Sequence, residues 1–282
     1  MLFPPIIEIQ FQNGCNSNCI ICPYKDMNYK RDYMSEKLFN KFLKEIQGKN
    51  IKRIIPYLNN EPFLQNDYIE KVEKIKEVCT IAEIEISTNV SMLDETKIKS
   101  LTKLDLTELR LSVFGYSDEV YKKMMPGLNK KKVFENLELI SKYFNNTNTI
   151  VSIVMIDDGE IPKEEFNNMK KLSEGLNFKF ECWGFLDRCK NVAYKDNGIF
   201  KQNVCGCEQN RPLERMHILS NGDVIVCCQD WSHSNIMGNL EKDNIQDIWN
   251  SNKYEEFRRS LYKVENETPE LCKKCKLAIT KE

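Results

Sequence analysis

Three cysteines lie within eight residues near the start of the chain, at Cys15, Cys19 and Cys22. Three thiolates at this spacing can each take one iron of a cubane 4Fe-4S cluster, which leaves the fourth iron without a protein ligand. An iron with an open position can bind a small molecule. Structural zinc is the alternative, but it normally takes four ligands, and neither histidine of the chain is near these cysteines in the sequence. The triplet therefore favours an iron-sulfur cluster with one open iron.

Six further cysteines lie between residues 205 and 275. They include the pattern Cys207-x14-Gly222-x4-Cys227, followed by Cys272-x2-Cys275. Four thiolates can close a metal site, and the spacing alone allows either structural zinc or a fully ligated 4Fe-4S cluster. The remaining cysteines are scattered, and we expect them to be small buried hydrophobic residues. They are Cys79, Cys182 and Cys189.

Strands and helices must position these cysteines. From residue 5 to about 183, short β-branched runs alternate with amphipathic charged segments, which is the pattern of alternating strands and helices. The cysteine triplet follows the first run, and in parallel α/β folds reactive groups gather at the carboxyl ends of strands. The predicted strands are Ile6–Gln12, Lys52–Leu58, Glu83–Ser87, Glu108–Phe114, Ile150–Ile156 and Lys179–Trp183. The predicted helices are 35–47, 67–79, 94–102, 130–144 and 163–174, with Ser35, Asp67 and Asp94 as N-caps.

Six strands alternating with helices predict an α/β fold with a parallel sheet, because parallel strands need crossover connections. Six units are fewer than a closed eightfold barrel, so we expect an open, partial (β/α)6 barrel. After Trp183 the alternation stops, which predicts a barrel over residues 1–184, a bridge over 185–204 and a small iron-sulfur module over 205–282.

Within that module, Met216–Leu219 and Val224–Cys228 flank an Asn221-Gly222 turn, a strong hairpin signal. Two short helices are expected at 244–250 and 253–262, before the last two cysteines.

The CxxxCxxC triplet after the first strand resembles the signature of the radical S-adenosylmethionine superfamily, although Ile21 replaces the usual aromatic residue. In that family the open iron chelates the amino and carboxylate groups of S-adenosylmethionine. Asn59-Asn60-Glu61-Pro62 resembles the Gly-Gly-Glu-Pro segment that holds the amino group, with asparagine in place of both glycines. Asparagine tolerates positive φ better than most residues, so the turn can survive. The resemblance implies cofactor contacts at Asn60, Glu61, Ser87, Asn89 and Ser112, the last as the serine near the ribose.

The C-terminal set resembles the twitch form of the SPASM extension, which holds one auxiliary 4Fe-4S cluster. The hairpin glycine, Arg258 and the terminal CxxC all take part in this resemblance. Cys205 and Cys228 stand beside two expected ligands and remain alternatives to them. The run from Cys207 to Arg211 and the Gly-x4-Cys spacing favour Cys207, Cys227, Cys272 and Cys275 as ligands.

The resemblance implies an enzyme with two 4Fe-4S clusters and S-adenosylmethionine. An external one-electron donor of the flavodoxin or ferredoxin type reduces the first cluster, and a 5′-deoxyadenosyl radical then abstracts hydrogen from the substrate. The layout is similar to aminocyclitol dehydrogenases, so we expect oxidation of a hydroxyl group on a sugar, cyclitol or similar small polar molecule. Candidate substrate contacts are Tyr24, Arg188, Gln229 and Asp230.

Two other functions remain open. Many related enzymes modify ribosomally made peptides by thioether formation or epimerisation, and Cys182, Cys189, Cys205 or Cys228 could then donate a hydrogen atom. A non-catalytic metal-binding module is the third hypothesis. Such a module would need no cofactor contacts at strand ends, so the matches at Asn59-Asn60-Glu61-Pro62 and Ser112 argue against it.

The net charge of -1 offers no basic excess of the kind that nucleic-acid binding needs. No stretch approaches the roughly 20 apolar residues of a membrane span. Twelve cysteines indicate metal or redox sites rather than disulfides if the chain is cytoplasmic, which is the location we expect.

Overall fold

The computed structural model describes residues 2–195, 198–262 and 267–281. Within these ranges, strands and helices alternate from residue 6 to residue 184, as the sequence pattern predicts. The strands are β1 (Ile6–Ile9), β2 (Arg53–Ile55), β3 (Glu83–Thr88), β4 (Glu108–Ser112), β5 (Ile150–Asp157) and β6 (Lys179–Gly184). The helices are α1 (Glu36–Ile46), α2 (Tyr68–Val78), α3 (Glu95–Thr102), α4 (Asp118–Met124), α5 (Lys130–Phe144) and α6 (Lys163–Gly175). None of the helices in the described ranges is long and apolar enough to cross a membrane.

The strands β1 to β6 pair in parallel in sequence order, so each connection crosses over through the helix layer. This arrangement confirms the predicted partial (β/α)6 barrel. Sequence reasoning missed α4, because seven residues are too few to show an apolar repeat. The hydroxyl oxygen of Ser117 caps this helix by accepting a hydrogen bond from Val120 N at 3.2 Å.

All three predicted N-cap residues stand at the start of their helices, and two of them cap with their side chains. The Ser35 hydroxyl accepts a hydrogen bond from Leu38 N at 3.2 Å, and the Asp94 carboxylate accepts one from Lys97 N at 2.9 Å. Asp67 is the N-cap residue of α2, but its side chain makes no capping hydrogen bond. Its carboxylate instead lies 3.0 Å from the Lys71 ammonium, one turn further along the same helix.

The rest of the chain forms short elements around the second set of cysteines. The predicted hairpin is present, with Gly222 at a φ of 83° in its turn, a conformation that glycine adopts without steric cost. Both predicted short helices are also present. The elements are β7 (Val204–Cys207), α7 (Arg211–Glu214), β8 (Arg215–Ile218), β9 (Asp223–Ile225), β10 (Ile236–Asn239), α8 (Ile245–Trp249), α9 (Asn252–Tyr262), α10 (Glu270–Lys273) and β11 (Ala278–Thr280).

The C-terminal hairpin extends the barrel sheet rather than forming a sheet of its own. Strand β8 pairs in parallel with β1, so that Glu8 lies beside His217, and β9 and β10 continue the sheet outward. Only β7 and β11 form a separate antiparallel pair within the described residues. The division into residues 1–184, 185–204 and 205–282 therefore stays a prediction, because one sheet runs across it.

The two faces of the sheet differ in polarity. One face packs on the helices, as the 5.4 Å contact between the rings of Phe11 and Phe39 shows. Alternate strand residues face the barrel interior and carry charges. Most of these charges pair across neighbouring strands, and one pair lies within β4, so that the two buried carboxylates, Glu8 and Glu85, keep partners. The pairs are Arg53 with Glu83 and Glu85, Arg110 with Glu85 and Glu108, and Arg215 with Glu8.

Candidate active site

The N-terminal cysteine loop, residues 13–22, follows β1 and rests on the end of α4. Ile20 N donates a hydrogen bond to Met124 O at 3.1 Å, and Asn18 N donates one to Pro126 O at 3.3 Å. The helix that sequence reasoning missed therefore holds this loop in place.

The three thiols of this loop influence one another's ionisation. Burial raises the pKa of Cys15 and of Cys19 to about 12, and the charge of Cys22 adds to the effect at both. Burial also raises the pKa of Cys22, although the Arg188 guanidinium opposes this. Thiolates here need a nearby positive charge, which bound iron supplies. Ser17 adds donors, with its N 3.4 Å from Cys15 Sγ and its Oγ 2.9 Å from Cys19 Sγ, so the loop fits a cluster held by three cysteines.

Glu61, one of the predicted cofactor contacts, is 2% exposed and its carboxylate is already occupied. It accepts hydrogen bonds from Thr88 Oγ1 at 2.7 Å, from Asn89 N at 2.8 Å and from Phe63 N at 3.3 Å. Burial raises the pKa of Glu61 to about 7, against these hydrogen bonds, which lower it. The carboxylate joins the ends of β2 and β3, so its oxygens are already engaged in hydrogen bonds within the protein.

The asparagines before Glu61 do not use the conformation that glycine would favour. Neither Asn59 nor Asn60 is among the residues with positive φ. The Asn60 side-chain oxygen accepts a hydrogen bond from Leu58 N at 3.0 Å, which turns it back onto its own segment. Asn59 Nδ2 is buried without a hydrogen-bond partner, so this amide, which sequence reasoning did not single out, is the free donor here.

Asn89 connects the end of β3 to the N-terminal cysteine loop. Its side-chain nitrogen donates to Asn16 Oδ1 at 2.9 Å, and Asn16 Nδ2 donates to Ser91 Oγ at 2.9 Å. Ser91 Oγ closes the ring by donating to Asn89 Oδ1 at 2.6 Å. The next residue, Val90, has a φ of 69°, which is unusual for a β-branched side chain. Asn89 thus positions the cysteine loop, and no sequence pattern indicates its partners.

Ser87 and Ser112 lie side by side at the ends of β3 and β4. Their hydroxyl oxygens are 3.4 Å apart, and both residues are half-buried. The two predicted cofactor contacts are therefore adjacent, and a pair of hydroxyl groups can form hydrogen bonds with the hydroxyls of a ribose.

The auxiliary cavity is a small apolar cavity in the C-terminal part of the chain. Its walls include Phe257, Leu261 and Leu271. Gln229 Nε2 and Arg211 Nε also belong to it and are buried without a hydrogen-bond partner. Free cysteines and unpartnered donors around an apolar space fit a fully ligated iron-sulfur cluster. The cysteines of this cavity are Cys189, Cys207, Cys227, Cys272 and Cys275.

Four of these five are the ligands favoured from the sequence, and Cys189 is the addition. Its thiol lies against that of Cys275, which raises the pKa of Cys189, whereas the same contact lowers the pKa of Cys275 to about 7. Cys189 is buried, as expected, but it also contacts a thiol of the favoured ligand set, which the expectation did not include. The spacing gave no signal for it, because Cys189 approaches the cavity from the bridge between the two parts of the chain.

The other non-ligand cysteines have separate surroundings. Cys79 is buried, as expected, but Cys182 is exposed on β6, contrary to expectation. Cys228 Sγ, the His217 ring and the Glu8 carboxylate form a cluster whose ligand-type atoms lie within 4.8 Å of one another. Burial lowers the pKa of His217, but the charge of Glu8 and the contact with Cys228 outweigh this effect and raise the pKa to about 9.

The family model of the Radical SAM superfamily matches residues 9–169, which is more than half of the chain. This chain belongs to the radical SAM superfamily. A second model, described as an iron-sulfur cluster-binding domain (SPASM), matches residues 205–276. The chain is therefore a radical SAM enzyme that uses S-adenosylmethionine and iron-sulfur clusters, and the hypothesis of a non-catalytic metal-binding module is set aside.

Curated relatives of this radical SAM enzyme have different activities. A GTP 3′,8-cyclase of Aquifex aeolicus (strain VF5) is 22% identical, over 91% of this chain and 92% of the relative. The S-adenosyl-L-methionine-dependent 2-deoxy-scyllo-inosamine dehydrogenase of Niallia circulans is also 22% identical, over 96% of this chain and 92% of the relative.

Solved structures give the same fold. The crystal structure of BtrN in complex with AdoMet and 2-DOIA has a TM-score of 0.67 and 19% identity, covering 98% of this chain and 94% of BtrN. Streptococcus suis SuiB bound to the precursor peptide SuiA has a TM-score of 0.76 and 14% identity, covering 98% of this chain and 70% of SuiB. At these identities the likeness concerns the fold.

Two of the four predicted substrate contacts of this radical SAM enzyme lie near the N-terminal cysteine loop. Tyr24 is half-buried in a short 3-10 helix, Pro23–Asp26, directly after Cys22. Arg188 is also half-buried, and its charge lowers the pKa of Cys22 against the effect of burial. Both residues are therefore near Cys22, and they stay predicted substrate contacts.

The other two predicted contacts are in the loop after Cys227. Gln229 lines the auxiliary cavity. Asp230 is fully buried, and its carboxylate accepts five hydrogen bonds from Ser232, Ser234 and Asn235, at 2.7 to 3.1 Å from the backbone and 3.0 to 3.2 Å from side chains. With its oxygens occupied in this way, Asp230 shapes its loop, which argues against the predicted substrate contact.

Tyr29 is a residue of this region that sequence reasoning missed. Its ring stacks on His233 with centroids 5.0 Å apart, and its hydroxyl donates a hydrogen bond to Trp231 O. Burial raises the pKa of Tyr29 most, and the charges of Asp230 and Cys22 raise it further. Tyr29 therefore lies between the two cysteine sites and ties the segment after the first to the loop of the second.

Proposed function

We propose that this radical SAM enzyme oxidises a hydroxyl group of a small polar molecule, such as a sugar or cyclitol, to a ketone. The observation that carries the proposal is the auxiliary cavity, which is closed by apolar side chains and holds enough cysteines to ligate every iron of a 4Fe-4S cluster. A fully ligated cluster leaves no iron for the substrate, so electron transfer is the role that suits it. The dehydrogenase relative and the fold of BtrN support the same chemistry.

The oxidation removes two protons and two electrons from the carbinol, as one hydrogen atom, one electron and one proton. When bound, the first cluster and S-adenosylmethionine would supply the radical that takes the hydrogen atom, and the auxiliary cluster would be the acceptor for the second electron. The remaining proton needs an acceptor in the protein. Asp187 is fully buried with neither carboxylate oxygen hydrogen-bonded, and it precedes Arg188 on the same turn, so we assign it this role.

The chain's own residues would orient the reactants. We assign Cys15, Cys19 and Cys22 to the first cluster, and Cys207, Cys227, Cys272 and Cys275 to the auxiliary cluster. The hydroxyls of Ser87 and Ser112 would receive the ribose. The Arg188 guanidinium carries N–H donors and no acceptor, so it would orient the substrate oxygen by donating a hydrogen bond.

An external one-electron reductant is needed to start each turnover. We propose a donor of the flavodoxin or ferredoxin type and a cytoplasmic location, since low-potential reductants of these types work there.

The test is anaerobic turnover with a panel of cyclitols and sugars, following ketone and 5′-deoxyadenosine together. Equal amounts of the two products would support the proposal. A Cys272→Ala variant is the matched control, because it should still cleave the cofactor but form no ketone. Cofactor cleavage by the intact enzyme without ketone from any substrate in the panel would contradict the proposal.

The Cys228 thiol favours a second candidate function, epimerisation. It lies beside His217, outside the favoured ligand set, and could return a hydrogen atom to a substrate radical. The sulfur radical left behind would then need an electron and a proton, which the external donor and solvent would supply. Deuterium from solvent at the carbon of a recovered diastereomer, abolished by Cys228→Ala, would establish this chemistry in place of oxidation.

A further inference from the structure

Three consecutive residues of the bridge between the two cysteine sites have left-handed backbone conformations. Arg188, Cys189 and Lys190 have φ angles of 52°, 56° and 66°. Such angles are costly for residues other than glycine, and a run of three survives only where the surroundings impose it. Asn191 closes the turn, since its backbone N donates to Asp187 O at 3.1 Å and its side chain donates to Arg188 O at 2.7 Å.

This turn sends neighbouring side chains to different sites. The Arg188 guanidinium acts on Cys22 of the N-terminal cysteine loop. Cys189 is 7% exposed and enters the auxiliary cavity, where its thiol lies against that of Cys275. A regular strand or helix could not make this abrupt reversal, so the strained backbone has a clear consequence: it brings a fifth cysteine to a site that four cysteines can fill.

Gln229 approaches the same cavity from another segment. Its side chain is 2% exposed, and Nε2 is buried without a hydrogen-bond partner. Its backbone N lies 3.4 Å from Cys227 Sγ and donates to it. A buried amide without an acceptor is unfavourable unless something in the cavity accepts its hydrogen bond, and cluster or cysteine sulfur would be that acceptor.

We propose that Cys189 and Gln229 are positioning residues of the auxiliary cluster, which donate S–H and N–H hydrogen bonds to its sulfur atoms without ligating iron. The inference rests on the ligand set proposed above. Reduction adds negative charge to the sulfurs, and a hydrogen-bond donor stabilises that charge. The two side chains therefore raise the reduction potential of the auxiliary cluster and make it a better acceptor for an electron from the substrate.

The test uses the full-length chain with Cys15, Cys19 and Cys22 changed to alanine, so that only the auxiliary cluster is reconstituted. In this background, Cys189→Ala and Gln229→Met each remove one donor at similar size. Cys189→Ser keeps a donor at the first position. Cys182→Ala is the matched control, because this exposed cysteine on β6 is not among the residues that line the cavity. Iron content is measured first, and a redox titration followed by electron paramagnetic resonance then gives the midpoint potential.

We expect full iron content in every variant, with a midpoint that shifts to more negative values in Cys189→Ala and Gln229→Met and shifts further when they are combined. A tenfold lower ratio of reduced to oxidised cluster at fixed potential would correspond to a shift of about 59 mV for one electron. Cys189→Ser should recover most of the shift, and Cys182→Ala should show none. These readouts need no substrate, so they are independent of whether the enzyme is a dehydrogenase.

Three results would overturn the proposal. Loss of iron in Cys189→Ala would make Cys189 a ligand. Unchanged iron with an unchanged midpoint in both variants would show that neither side chain donates to the cluster. A triple-alanine background that binds no iron would show that the auxiliary cluster does not form, and it would overturn the ligand set on which the inference rests.

Discussion

The N-terminal cysteine loop and the auxiliary cavity bring sulfur atoms together in different ways. The loop takes three cysteines from eight consecutive residues, so their separation is set by a short stretch of backbone. The cavity takes five cysteines from the bridge, β7, the end of the hairpin and the C-terminal CxxC segment. These parts meet only when the chain has folded.

The two sites also differ in what surrounds the sulfurs. The loop is bordered by polar strand ends, with paired hydroxyls at Ser87 and Ser112 and a free amide at Asn59. The cavity is lined by Phe257, Leu261 and other apolar side chains. A polar border suits the binding of a cofactor and substrate, whereas an apolar enclosure suits a cluster that only exchanges electrons. The site built from one short segment therefore has a polar border that suits ligands, and the site built from distant segments has an apolar enclosure.

The largest expected effect is at the locally assembled site. Cys22→Ala should lose about four of about eight irons and all 5′-deoxyadenosine formation, because the proposed ligand set leaves no other cysteine of the loop to replace it. Iron analysis and chromatography after dithionite reduction measure both quantities. Cys79→Ala, at a buried cysteine away from both sites, is the control. Cofactor cleavage that survives in Cys22→Ala would show that this site does not work as one unit.

The dispersed site should tolerate loss of one ligand better. In Cys275→Ala, the adjacent Cys189 thiol can take the vacated iron, so we expect part of the auxiliary iron and all of the cofactor cleavage to remain. The double variant Cys189→Ala/Cys275→Ala should lose that remaining iron. Equal iron content in the single and double variants would show that Cys189 does not replace Cys275, and the two sites would then not differ in their tolerance to loss of a ligand.

Gly115→Ala should weaken the support of the N-terminal cysteine loop. An added Cβ would lie 2.4 Å from Tyr121 N in α4, so the helix that holds the loop must move. We expect a loss of about 1–3 kcal/mol in the free energy of unfolding and lower iron at the first site only. Anaerobic thermal unfolding measures the first effect. Gly175→Ala is the control, since its Cβ would meet nothing within 4 Å, and an equal effect there would contradict the explanation.

The pH dependence of stability should reveal Glu61. Burial raises its pKa from the ordinary value of 4.5 to about 7, so the folded protein keeps a proton that the unfolded chain releases in this range. The free energy of unfolding contributed by this group therefore falls as pH rises from about 4.5 to about 7. Thermal midpoints across that window should decline less steeply in Glu61→Gln, which cannot ionise. Parallel curves for both proteins would show that Glu61 does not titrate there.

The smallest expected effect concerns the two strand-end hydroxyls. Ser87→Ala or Ser112→Ala alone should weaken S-adenosylmethionine binding about two- to tenfold, the usual range for one hydrogen bond. Equilibrium binding to the reconstituted enzyme measures it. Affinity that stays the same even in the double variant would remove these serines from the cofactor site.

The regular part of the fold could be predicted from the sequence because its signals are local. Apolar runs and caps such as Ser35 and Asp94 specify the strands and helices of the barrel, and the Asn221-Gly222 pair specifies the hairpin. Helix α4 was missed because it is too short to show an apolar repeat, and Asp67 makes no capping hydrogen bond because Lys71 attracts its carboxylate. The first miss comes from the length of the element, and the second comes from an ion pair that a residue-by-residue pattern does not contain.

The sequence by itself determined the superfamily and predicted the position of the first cluster, because a triplet after the first strand needs only a few residues of backbone to converge. Only the tertiary structure decided which distant groups meet. It brought Cys189 to Cys275, left Gln229 Nε2 without a partner inside the cavity and turned the Glu61 carboxylate inward onto Asn89. These contacts join residues from separate segments, and burial gives them their chemical effect, so neither spacing nor composition could reveal them.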